Sequence, residues 1–126
     1  MKYFTIGISF LAALLAASIL AGVLVASWVK PANSHLTRAV DALAREDYDN
    51  AVEQAIAAEK KWKAEQQKLS AFLSHETLEE VAVAFSDLHV YSERQNYSEF
   101  LARCKLLQMQ LKHISEMDIP YYYNLL

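Results

Sequence analysis

From Tyr3 to Val29 the chain runs through 27 positions without a charge, rich in Leu, Ala, Ile and Val. As a helix this stretch is roughly 40 Å long, more than the ~30 Å hydrocarbon core of a bilayer requires. It has no polar face of the kind a soluble core helix presents, so the pattern predicts a helix that enters a membrane. Past residue 30 the pattern changes to narrow apolar stripes at helical spacing. Leu36, Val40 and Leu43 follow Pro31 and a capping Ser34, and predict a short helix ending near Glu46. Tyr48, Val52, Ala55, Trp62, Leu69 and Leu73 predict a second helix of about 25 residues. Leu78, Val81, Phe85 and Leu88 mark a third, opened by Thr77-Leu78-Glu79-Glu80 at capping-box spacing. Tyr97, Phe100, Cys104, Leu107, Leu111 and Ile114 mark a fourth, framed at its start by Asn96 and Glu99 and stopped by Pro120.

Two of the predicted turns echo one another. Arg45-Glu46-Asp47-Tyr48 aligns with Arg94-Gln95-Asn96-Tyr97, 49 positions later. In each, Asp or Asn caps the coming helix and Tyr is expected to pack its ring back across the corner. The fold class that follows is all-α: an N-terminal transmembrane helix, then an antiparallel up-down bundle made of two hairpins. The expected organisation is an anchor over 1–30, a bundle over 31–120 and an aromatic, apolar tail over 121–126.

Composition sharpens this picture. Both glycines, Gly7 and Gly22, lie in the leading segment, and neither Gly nor Pro occurs from Ala32 to Ile119. A sheet protein of this size needs several tight turns, so β and α/β folds are excluded. Cys104 is the only cysteine, which removes disulfide frameworks and CxxC chemistry. The leading segment has two fates, a cleaved signal peptide or a retained anchor. Its length exceeds a secretory apolar region of about 7–15 residues and favours retention. Val23 stands where a lipoprotein signal needs its lipidated cysteine. Trp28 suits the interfacial belt, and Lys30 lies just beyond it. Flanking charge, Lys2 against Lys30, Arg38 and Arg45, mildly opposes an outward body, whereas a first apolar segment with a short basic start sends the following domain outward. The expectation is a single-pass bacterial membrane protein with an extracytoplasmic body.

Ten Lys and Arg and all fifteen Asp and Glu fall after residue 30, so the body carries a net charge of −5. That is no footprint for nucleic acid. Glu59-Lys60-Lys61-Trp62-Lys63 reads as a solvated helix face, with contact to anionic headgroups as the minor alternative. The body lacks the glycines of phosphate-cradling loops and hydrolase elbows, and no Glu stands three residues before a His as in di-iron bundles. Neither an enzyme nor a cofactor is expected. His75, His113 and Glu116 are the candidate metal ligands: antiparallel pairing of the last two helices sets Glu116 level with His75. The bland alternative leaves His75 at the inter-helix turn and His113 at a core edge. Tyr121, Tyr122 and Tyr123 are the partner-binding candidates, in a terminus too apolar for a free tail.

The order and spacing of these features resemble a bacterial family, domain of unknown function 4363. The resemblance covers nearly all the chain and rests on the N-terminal span, Asp47-Tyr48-x-x-Ala51, Trp62, Phe72-x-x-His75 and the ending Tyr123-Asn124-Leu125-Leu126. It departs at Tyr48, where the family often has Trp. The resemblance implies a small membrane-anchored helical protein without an established activity or catalytic residue to carry over. It also implies a membrane partner of the YetF-like kind. The residues themselves imply lipid contact through 3–29 and an interaction or scaffolding role for the bundle, or alternatively a sensor or ligand-binding role.

Overall fold

The computed structural model describes residues 2–116. It contains four helices, α1 (Lys2–Ala44), α2 (Tyr48–Leu69), α3 (His75–Glu93) and α4 (Tyr97–Glu116), and no strand among the described residues. The expected stop at Pro120 and the tail tyrosines Tyr121, Tyr122 and Tyr123 lie outside the described residues.

The apolar stripes build the core as expected. Leu36 and Leu43 of α1, Trp62 and Leu69 of α2, Leu78, Val81, Phe85 and Leu88 of α3, and Phe100, Cys104, Leu107, Leu111 and Ile114 of α4 are all buried. The seam between α1 and α2 is the most extensive, and both helices give it alanines: Ala32, Ala39 and Ala42 on one, Ala51, Ala55 and Ala58 on the other. Small side chains let two helix axes approach closely. Gln108 of α4 donates to Thr37 of α1 across 2.9 Å, and Arg103 of α4 pairs with Asp87 of α3 at 3.5 Å. These contacts set an up-down-up-down order in which α4 lies against both α1 and α3.

The two echoing turns are built alike. Glu46 and Gln95 adopt left-handed backbone, with φ of 59° and 55°. The amide of Asp47 then donates to the Ala42 carbonyl, and that of Asn96 to Tyr91, both at 2.9 Å. Each turn thus closes α1 or α3 with the six-to-one bond of a Schellman motif. Each then opens the next helix: Asp47 Oδ1 accepts from the amide of Asn50, and Asn96 Oδ1 from that of Glu99. Tyr48 and Tyr97 stack on each other, centroids 4.1 Å apart and planes within 9°, and Tyr48 is consequently more exposed than the stripe predicts.

Two expected boundaries move. Pro31 does not separate an anchor from a short capped helix; it lies inside α1, so Ser34 caps nothing. A proline within a helix removes one hydrogen bond and costs ~3 kcal/mol. Val25, Val29, Ala32 and Leu36 flank it on a buried face, and burial of each large member contributes about 1.5–3 kcal/mol, which outweighs that cost. Pro31 and Ser27, the residue whose carbonyl loses its donor, are both exposed, so the missing bond lies on the outer side. Helix α3 begins one turn earlier than the Thr77 box predicts. Ser74 is its cap, accepting from the Thr77 amide at 3.1 Å, and a serine before three polar residues gave no apolar stripe to signal it.

Helix α1 is about 65 Å long and α2 about 33 Å, so nearly half of α1 projects beyond the bundle. Along that projection Phe4, Ile6, Phe10, Leu11, Leu15 and Ile19 are all exposed, on every side of the helix. The first buried position is Ala21.

Candidate functional site

Three of the four seams of the bundle are closed, and the fourth, between α2 and α3, is open. These helices approach one another far less than the other neighbours do. Their main polar link is Glu59 to His89, a carboxylate oxygen 2.8 Å from Nε2, with Lys63 Nζ 3.8 Å from the same oxygen. The imidazole is nearly half exposed, and a pair in that setting is worth no more than about 1 kcal/mol. It acts as a strut across the gap.

Beside the strut lies a cleft of about 320 Å³, lined by Trp62, Phe85 and Ala82 with Glu59, Lys63, Gln66, Ser86 and His89. Further along the same seam the space shrinks to ≈ 10 Å³ beside Phe85 and Phe100, room for one water. Trp62 is 1% exposed, yet its Nε1 has no hydrogen-bond partner in the protein. A buried indole N–H normally finds an acceptor. The cleft therefore combines an aromatic wall with a mixed-charge lip, and the unpaired indole N–H is buried rather than open to solvent. Trp62, Phe85, Phe100 and Leu107 are all buried in the core.

The sequence-derived metal candidates do not converge. No group of three or more His, Cys, Asp or Glu able to hold a metal occurs among the described residues. His75 is the first residue of α3, 93% exposed in its side chain, and faces Glu79 on its own helix at 4.0 Å. His113 and Glu116 are exposed near the end of α4. Cys104 is fully buried, and desolvation pushes its thiol up to about 12, which makes it an inert core residue. Lys60, Lys61 and Lys63 are exposed, as a solvated face requires, and Lys63 forms part of the cleft's lip. Glu59 and His89 escaped the sequence reading as a pair because they stand 30 positions apart on different helices. Only the register of α2 against α3 joins them.

At the opposite end of the cleft from the echoing turns, a second cluster forms where α1 leaves the bundle. Trp28 packs against Phe72 at 5.8 Å between centroids, and Lys68 Nζ stands 5.8 Å over the Trp28 ring. Phe72 lies in the turn between α2 and α3, beside the exposed Ala71.

These features define an all-α up-down bundle whose first helix continues as a long apolar rod. Within that class, the chain belongs to the family described as domain of unknown function 4363 (DUF4363), whose model matches residues 24–125. No curated protein and no solved structure matches it.

Proposed function

We propose that this is a single-span membrane protein whose bundle stands on the extracytoplasmic side of a bacterial membrane and engages another membrane or envelope protein. The observation that carries this reading is the division of α1. Its first part exposes apolar side chains on every side, and one helix in the described chain is long and apolar enough to cross a bilayer. Its second part is a fully integrated member of the bundle. Such a design would hold a binding module close to a membrane surface. The open α2–α3 seam is the surface on which a partner's apolar side chain would find the aromatic wall of Trp62 and Phe85.

A photo-crosslinking residue at Ser86, bordering the cleft, should capture one defined neighbour in native membranes, and the same residue at Lys105 of α4 should not. Equal capture at both positions, or at neither, would refute the reading. A small-ligand carrier is the second reading, favoured by the idle Trp62 donor. It predicts a molecule with a hydrogen-bond acceptor that stays with the purified protein in native mass spectrometry and is lost on Trp62→Phe.

A further inference from the structure

The apolar stretch of α1 is longer than a bilayer, but the part of it that is free of the bundle is not. Residues 3–20 rise about 27 Å as a helix, a little less than the ~30 Å of hydrocarbon they would cross. Any tilt lengthens the path and increases the shortfall. From Ala21 onward one face of the helix is covered: Ala21, Val25 and Val29 are buried and belong to the core cluster. The helix is continuous through Pro31, so no flexible linker separates rod from body. A chain with these proportions has no slack between hydrocarbon and bundle.

We infer that the bundle sits flush on the bilayer, with the α2–α3 turn and the Trp28–Phe72–Lys68 corner in the phospholipid headgroup layer. This rests on the membrane-spanning reading of α1. Centred on the bilayer, the roughly 40 Å of uncharged residues 3–29 overruns ~30 Å of hydrocarbon by about 5 Å at each end, which brings Trp28 into a polar layer about 5–7 Å deep. An indole, a phenyl ring and a lysine are the groups that favour that layer: the rings are amphipathic or apolar and the ammonium reaches phosphate. Lys68 is well exposed, although Glu65 lies 3.1 Å away, and Lys112 and Glu116 balance each other near the end of α4. With charge mixed in this way, seating is imposed by the anchor and does not require anionic lipid.

The test uses the full-length chain in phosphatidylcholine vesicles. Single cysteines are introduced by Ala71→Cys in the turn, Ser98→Cys at the far end and Phe10→Cys in the rod, all at exposed positions. Each is labelled with an environment-sensitive fluorophore, and the buried Cys104 stays unlabelled. A nitroxide on the lipid headgroup should quench position 71 and leave position 98 bright. A nitroxide midway along the acyl chain should quench position 10. Quenching at 10 with position 71 as bright as 98 would overturn the flush seating while sparing the anchor. No quenching at 10 would overturn both. Lys68→Cys provides a second reporter on the same corner and should behave as position 71 does.

Discussion

Glu46 holds a backbone conformation that an L-residue adopts at a cost, and this allows a direct test of the turn geometry. At φ 59° a side chain meets the following carbonyl, a penalty of roughly 1–2 kcal/mol that glycine avoids. Glycine in return loses more chain entropy on folding, roughly 0.5–1 kcal/mol. Glu46 is exposed, so the substitution removes no core contact. Glu46→Gly should therefore stabilise the bundle by about 0.5–1 kcal/mol, or about 2–8 °C in the thermal midpoint of a domain of this size. Glu46→Val should move the midpoint the other way, because a β-branched side chain tolerates this region least. The measurement is thermal unfolding of the full-length protein in detergent, followed by circular dichroism. A lower midpoint for the glycine variant, or a valine variant equal to the parent, would refute the assignment of a strained Schellman turn at this position.

The remaining predictions concern the core, the proline and the thiol. Phe85→Ala should destabilise by about 3–5 kcal/mol, since Phe85 is 2% exposed and sits between the cleft and the axis; chemical denaturation monitored at Trp62 reads this out. His89→Ala, which removes only the strut, should cost no more than about 1 kcal/mol in the same assay. Pro31→Ala should stabilise by up to ~3 kcal/mol by restoring the missing helical bond, and a loss of stability would show that the proline is required where it stands. Cys104 has a folded thiol pKa of about 12 against 9.0 when exposed, so its contribution is complete below pH 9 and disappears as pH rises toward 12. Between those limits stability should fall by about 1.4 kcal/mol per pH unit from this group alone, and Cys104→Ala should show a correspondingly shallower decline.

Much of the bundle was legible because its signals are local. Leu78, Val81, Phe85 and Leu88 repeat at helical spacing, and that spacing alone fixes which face of α3 is buried. The echo of Arg45–Tyr48 in Arg94–Tyr97 marked two turns of one design. Pro31 misled, because a local helix breaker was outweighed by tertiary burial on either side of it. The mutual stacking of Tyr48 and Tyr97 was equally hidden, since it joins two helix starts through space. The candidate site was hardly legible at all. Glu59, Trp62 and His89 become neighbours only through the register of two helices, and the openness of their seam depends on the packing of all four. The His75, His113 and Glu116 grouping failed for the matching reason: being level along two axes does not make side chains face each other.

The jointless first helix has a mechanical consequence. Where it crosses a bilayer, the bundle cannot swing independently and leans with its own shaft. Each 5° of lean that the seating allows carries the stacked tyrosines about 3 Å sideways over the ~33 Å of bundle above the lipid. Only a bilayer thinner than the ~27 Å free rod makes room for such a lean, and there the far end would move like the tip of a lever.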